Sequence, residues 1–108
     1  MELPIMEGRG RMTSEMVKLR RLLDAEGIAW VDASDEKSIY HIDRTHFRYR
    51  RYRWSVIHGY GTYGGKNHWD KDMGLLELRS NGAGNGDPIG WLTADEVMRL
   101  VKGEQKVE

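Results

Sequence analysis

One stretch, Arg44 to Gly65 (RTHFRYRRYRWSVIHGYGTYGG), constrains the fold more than any other part of the sequence. It holds five arginines, four tyrosines and four glycines, and it contains no Asp or Glu. Side chains alternate between the two faces of a β-strand. If Arg50 and Arg51 form a two-residue turn, apolar side chains gather on one face and basic side chains on the other. The stretch therefore predicts a β-hairpin with an apolar face and an arginine face.

This register can be written out residue by residue. The apolar face takes Phe47, Tyr49, Tyr52, Trp54 and Val56, and the opposite face takes Arg44, His46, Arg48, Arg53, Ser55 and Ile57. Aromatic pairs across the two strands support it. The turn sequence argues against this register, because primed two-residue turns favour Gly or Asn and this chain has two arginines there. A four-residue loop would keep the same register.

Helical periodicity appears on both sides of the hairpin. Residues Met12 to Glu26 carry an apolar stripe at helical spacing, with Thr13 or Ser14 as the predicted cap. Gly27 is placed to end this helix in the left-handed conformation. A second helix begins at Thr93–Glu96 (TADE), which has the pattern of a capping box. Its apolar positions repeat at the same spacing.

Shorter apolar runs complete the predicted fold. They are Ile28–Val31 and Gly74–Arg79 as strands, Ile39–Ile42 as a strand or an extension of the hairpin, and Ile89–Leu92 as the lead into the second helix. We expect an α+β fold, with a small antiparallel sheet of three to five strands and an N-terminal and a C-terminal helix packed on its aromatic face. Trp30, Trp54 and Trp91 are predicted to be core residues.

Length and composition limit the classes of protein. At 108 residues the chain suits one domain over residues 12–103, with residues 1–11 as a flexible arm and 104–108 as a frayed tail. The 17 basic and 17 acidic residues cancel, which argues against a general binder of nucleic acid. The absence of Cys excludes disulfides and zinc–thiolate sites. With no transmembrane run and no signal-peptide core, we expect a cytoplasmic protein.

The arginine face is the first candidate for ligand binding. Guanidinium groups bind phosphate in a bidentate manner, and aromatic rings stack on bases. The residues assigned to phosphate are Arg44, Arg48, Arg53 and Lys66, and those assigned to stacking are Tyr60, Tyr63 and Trp69. Two alternatives stay open, namely a solvated face and an interface with a second subunit.

The segment Gly59–Gly64 (GYGTYG) matches GxGxxG literally and follows a strand. A dinucleotide site also needs a helix that opens at the last Gly, and no helical period follows here. A Walker P-loop is excluded because Asn67 follows Lys66. What remains is a loop whose backbone N–H groups at Gly59, Gly61 and Gly64 approach an anion. The alternative is a structural connection with tyrosines packed over it.

Catalytic and metal signatures are weak. None of the four histidines has helical metal-ligand spacing. Ser55 faces His46 in the predicted register, but no third group orients the pair. Asp70 and Asp72 lie in one short loop. We therefore predict no enzyme activity, no metal and no cofactor.

Four segments carry a resemblance: SEMVKLRRLLDAEGIAWVDASD (14–35), RWSVIHGYGTYGG (53–65), GLLELRS (74–80) and GWLTADEVMRLV (90–101). Over roughly residues 12–102 the chain resembles small uncharacterised proteins encoded by phages and prophages of gut actinobacteria. The resemblance transfers no catalytic residue. It implies a phage accessory protein in the host cytoplasm, and many such proteins look like inhibitors of antiviral defence.

Three hypotheses follow. In the first, the protein sequesters a small nucleotide signal of host immunity, cyclic or ADP-ribose-like, without catalysis and as a homo-oligomer. In the second, it is an anti-CRISPR-like inhibitor that binds a defence protein directly, and the arginines and aromatics are interface residues. In the third, it is a nucleic-acid-binding accessory protein, which the zero net charge disfavours.

Overall fold

A computed structural model describes residues 12–35, 41–65, 71–81 and 87–103. The elements it contains are α1 (Ser14–Ala25), β1 (Trp30–Asp32), β2 (Ile42–Tyr49), β3 (Tyr52–Gly59), β4 (Leu76–Asn81), β5 (Ile89–Leu92) and α2 (Ala94–Val101). The strands form one antiparallel sheet in sequence order, and both helices pack on one face of it. The predicted α+β fold is confirmed. The expected arm and tail, residues 1–11 and 104–108, lie outside the described residues. No described helix is long and apolar enough to cross a membrane.

The central hairpin has the predicted register. Phe47 pairs with Trp54 and Arg48 with Arg53, and Tyr49 and Tyr52 flank the turn. The two-residue turn forms despite its two arginines, because Arg50 adopts a strained left-handed conformation with φ of 59°. Primed turns require such an angle at their first central position.

The hydrophobic core lies between the sheet and the two helices. Alternate positions of the strands face it, so the residues between them face the opposite side. Its buried members are Met16, Leu19 and Leu23 of α1; Phe47, Val56, Leu76, Leu78 and Leu92 of the strands; and Ala94, Val97, Met98 and Val101 of α2. Each helix therefore contributes one apolar stripe to one shared core.

A buried arginine fixes α1 on the sheet. Arg20 is 9% exposed, and its Nε donates to Thr45 Oγ1 at 2.8 Å. Its Nη2 donates to Asp32 Oδ1 and to the Arg44 carbonyl, both at 3.2 Å, and the guanidinium lies 4.6 Å from the Trp30 ring centroid. One side chain thus joins α1 to β1 and β2.

The two helix starts differ in how they are capped. The predicted capping box of α2 is confirmed, since Thr93 and Glu96 exchange both hydrogen bonds. Thr13 is the N-cap of α1, but its side chain makes no cap bond. Its hydroxyl instead donates to the Gly74 carbonyl at 2.9 Å. The expectation of a side-chain cap at Thr13 is wrong because the hydroxyl holds the segment before β4.

The sheet has one strand more than the sequence pattern indicates at its C-terminal end. Ile89–Leu92 is a strand of its own, β5, and pairs with β4 through an irregularity between Leu76 and Leu78. The extra residue rotates Trp91 out of the core. Its φ is 57° and it is 58% exposed, so the prediction that Trp91 is a core residue is wrong. Trp30 and Trp54 are partly buried and pack against the core.

Replacing Arg20 tests the link between α1 and the sheet. Arg20→Ala is expected to lower the free energy of unfolding by about 2–4 kcal/mol, because it removes buried packing and the three hydrogen bonds that join α1 to β1 and β2. Arg21→Ala is the matched control on the exposed side of the helix, with an expected change within about 0.5 kcal/mol. Urea denaturation measures both. Equal losses would contradict the link.

The strained turn gives a second prediction. Arg50→Asn is expected to raise the free energy of unfolding by up to about 1 kcal/mol, since Asn tolerates the left-handed region better than Arg. Loss of the Arg50–Tyr49 cation–π contact at 5.1 Å offsets part of the gain. Arg51→Asn is the control and should bring no gain. A gain at position 51 and none at position 50 would refute this assignment of the strain.

Candidate functional site

A groove of about 560 Å³ crosses the face of the sheet that the helices leave uncovered. Strand alternation explains its shape. One wall is a cross-strand row of outward side chains, and Arg48 and Arg53 form the other wall. The floor is the backbone of the residues between the two rows, whose side chains point to the helices. We call it the arginine groove and define it by Val31, His46, Arg48, Arg53, Ser55 and Arg79.

The charges in the arginine groove have one sign. Arg48 and Arg53 are directly opposite each other across β2 and β3, and Arg79 pairs with Ser55 two residues further along. No described lining residue is an Asp or a Glu. Like charges that face each other across a sheet cost stability. Within the described part of the chain, neither Arg48 nor Arg53 has an ion pair that would offset this cost.

One acid lies beside the groove. Glu77 is only 4% exposed although it belongs to the outward face of β4. Its Oε2 accepts from Arg79 Nε at 3.3 Å, and its Oε1 accepts from the backbone N–H of Tyr63 at 2.9 Å. The β3–β4 connection therefore folds over Glu77, and Glu77 links that connection to Arg79.

The Gly–Tyr loop, residues 59–65, uses most of its backbone donors internally. Thr62 accepts through its hydroxyl from Gly59 N–H and through its carbonyl from Gly65 N–H, and its own N–H donates to the Gly59 carbonyl. The N–H groups of Gly59, Thr62, Tyr63 and Gly65 all have partners within the protein. These bonds, and the carboxylate below them, favour the alternative of a structural loop over an anion-binding one.

A buried histidine holds the far end of the same connection. His58 is 6% exposed; its Nδ1 lies 2.9 Å from the Leu75 carbonyl and its Nε2 lies 3.1 Å from Asp72 Oδ2. Both ring nitrogens face oxygen acceptors, so both contacts are hydrogen bonds only in the imidazolium form. His58 thereby fixes where the chain enters β4.

The structure divides the predicted ligand residues between two places. Arg48 and Arg53 line the arginine groove. Gly61, Tyr63 and Gly64 line a second concavity of about 320 Å³. Gly59 lies six positions after Arg53 on β3, a distance of roughly 20 Å along a strand. The basic and the aromatic parts of the prediction therefore do not form one compact site.

The other predicted residues lie elsewhere. Arg44 is on the arginine face, but its Nη1 donates to the Ala33 carbonyl at 3.2 Å and it is not among the groove residues. Gly59 ends β3 where an added Cβ would lie 2.7 Å from the His41 carbonyl oxygen, so close strand packing explains this glycine. Tyr60 is half-buried in the loop. Lys66 and Trp69 lie outside the described residues.

Several site residues were missed by the sequence analysis. The outward position of Arg79 could have been predicted, because Arg79 follows Leu78 on a strand whose Leu76 and Leu78 face inward. The outward position of Val31 could have been predicted in the same way, because Val31 follows Trp30, which packs against the core. No pattern pointed to Trp91, whose exposure depends on the irregular pairing of β5.

The residues considered for catalysis and for metal binding can be located in the described structure. Ser55 and His46 are cross-strand neighbours, yet no hydrogen bond joins them in the described structure. Of the residues described, no three His, Asp or Glu side chains come together as a metal site. The charge of the groove remains its main chemical property.

Charge is also balanced elsewhere on the surface. The Ser34 hydroxyl, followed by the Arg20 guanidinium, holds the pKa of Asp32 below its ordinary value. Lys18 and Asp95 form an exposed pair at 2.7 Å between the helices, and this contact lowers the pKa of Asp95. Both carboxylates have partners, whereas Arg48 and Arg53 have no ion pair among the described residues.

Comparison of the chain with protein-family models, with curated proteins and with solved structures gives no match. The assignment of a function therefore depends on the geometry and charge described above.

A charge-reversal cycle tests the repulsion between Arg48 and Arg53. Arg48→Glu and Arg53→Glu are each expected to raise the free energy of unfolding by about 0.2–1 kcal/mol, because each creates an opposite-charge pair. The double variant restores a like-charge pair and should lose the gain. Thermal and urea denaturation at low salt measure the coupling. Additive effects of the two changes would show that the side chains do not interact.

Proposed function

We propose that the protein is a non-catalytic binding protein whose ligand carries phosphate groups, as a nucleotide does, and that the arginine groove holds them. The observation that carries this proposal is the Arg48–Arg53 pair facing one another at a groove with no carboxylate among its described lining residues. A bound phosphate between the two guanidinium groups would convert a repulsion into two charge-assisted hydrogen-bonded contacts.

The size of the groove supports a small ligand. About 560 Å³ lies within the range of small-molecule sites, and it suits a nucleotide or a short oligonucleotide better than a duplex. Arg79 extends the positive surface across β4, although its ion pair with Glu77 neutralises part of its charge. The zero net charge of the chain is consistent with recognition by one local patch.

The biological setting of the proposal comes from the resemblance of the sequence to phage and prophage proteins. In that setting the protein sequesters a small immune nucleotide, cyclic or ADP-ribose-like, in the host cytoplasm. A sponge of this kind needs tight binding, and a nanomolar Kd corresponds to about −12 kcal/mol. Assembly of two or more copies would enclose an open groove and increase the contact area.

A second candidate function has its own observation. Val31 is 64% exposed on β1, the edge strand at one end of the arginine groove. An exposed apolar residue next to exposed arginines on a sheet edge is the composition of a protein-binding surface. A direct inhibitor of a defence protein would use the same face.

A thermal-shift panel tests the proposed function. The probes are inorganic pyrophosphate, cyclic dinucleotides, ADP-ribose and a single-stranded oligonucleotide. A ligand present at 100 times its Kd stabilises the fold by about 2.7 kcal/mol, which corresponds to a Tm increase of about 10 °C or more for a domain of this size.

The matched variants are Arg48→Gln with Arg53→Gln, which remove the groove charges, and Arg51→Gln, which removes a charge from the adjacent turn. The shift should disappear in the double variant and persist in the turn variant. The proposal fails if none of the phosphate probes shifts the wild type. Capture of a defence protein that depends on Val31 would then favour the second candidate.

A further inference from the structure

Trp91 is the most unusual residue outside the arginine groove. A bulky side chain in the left-handed region is strained, and Trp91 has φ of 57°. It is also 58% exposed, so the strain does not serve to bury the indole. Strained residues that expose large side chains concentrate at binding sites. This outlier has no explanation in the packing of the core.

A neighbouring ring holds the indole in place. The Tyr63 and Trp91 rings are stacked, with centroids 5.2 Å apart and planes 14° from parallel. The backbone N–H of Trp91 donates to the Tyr63 carbonyl at 3.3 Å. An added Cβ at Gly90 would lie 2.1 Å from Tyr63 Cβ, so only glycine permits this approach. The pair is a preorganised aromatic surface, which we call the Tyr63–Trp91 platform.

The platform borders the second concavity, of about 320 Å³. Gly61, Gly64 and Gly65 line one part of it and add no side chains, which leaves a slot beside the rings. Lys71 is the single cation among the described lining residues, and no described lining residue is acidic. This volume is at the small end of ligand sites, which suits one ring system rather than a peptide.

We propose that the Tyr63–Trp91 platform is a stacking site for one planar heteroaromatic ring of nucleobase size, with Lys71 placed to meet an anionic substituent of that ligand. A third ring extends the existing stack, and stacking tolerates any base because every base has a π-face. The exposed Met73 at the rim supplies a further apolar contact. The site is separate from the arginine groove and does not require that groove to bind phosphate.

Adenosine is the probe for stacking because it has a base and no phosphate. The full chain labelled with ¹⁵N is titrated with adenosine and with AMP, and the indole N–H signals are followed by NMR. The signal of Trp91 is identified by its loss in Trp91→Asn, a variant that keeps a residue tolerant of left-handed φ. We expect adenosine to shift the Trp91 signal and to leave those of Trp30 and Trp54 in place.

Variants separate the parts of this site. Tyr63→Leu keeps an apolar side chain but removes the stacked ring, and it should weaken adenosine binding about 5- to 150-fold. Trp91→Asn should have an effect of the same size. Lys71→Gln should weaken AMP while leaving adenosine unchanged. The spectra of the folded variants serve as the control for structure.

The outcome is distinguishable from that of the proposed function. The Arg48→Gln and Arg53→Gln double variant should lose pyrophosphate binding and retain adenosine binding. If adenosine and AMP leave the Trp91 signal unshifted at millimolar concentration, the platform is not a base-stacking site, whatever the groove does. If adenosine shifts all indole signals equally, binding is non-specific and the proposal is overturned.

Discussion

The buried guanidinium of Arg20 determines how α1 and the first two strands are held together. Desolvation of such a group is unfavourable unless its donors are used. Here they bond to Thr45, Asp32 and the Arg44 carbonyl, and the cation lies against Trp30. These contacts hold short β1 beside β2 and set α1 on one face only. The opposite face of four strands is left open as a consequence, and the arginine groove is that open face.

The hairpin of β2 and β3 contributes side chains to both faces of the sheet. Its inward side chains complete the core, and its outward ones include the opposed pair Arg48 and Arg53. Selection for stability alone would not place two cations across from one another. The strained left-handed residues, Arg50 and Trp91, likewise lower the stability of the fold without adding buried area. The like-charged arginine pair and the two left-handed residues therefore lie on the outward face or at its ends, where binding is proposed.

The sequence predicts the fold well where local rules act alone. Alternation gives the hairpin register, and the Thr93–Glu96 pattern gives the start of α2. It predicts the site less well because sites combine distant segments. Arg79 joins the groove through the pairing of β3 with β4, and Trp91 turns outward through an irregular register that no periodicity encodes. The Gly–Tyr loop begins at the end of β3, so it lies away from Arg53 and its partner Arg48, which are near the hairpin turn.

The contact between the two helices has a consequence for how the chain folds. Every strand pairs with its neighbour in sequence, so the sheet can assemble by successive local steps. The helices lie at opposite ends of the chain, yet Lys18 meets Asp95, and Glu15 accepts from the Ala94 N–H. Their docking closes a loop of nearly the whole domain, which carries a larger entropy cost than the pairing of neighbouring strands. During synthesis the groove-bearing strands are complete before α2 has emerged, so the newborn sheet exposes part of its apolar face until the final turns of helix arrive.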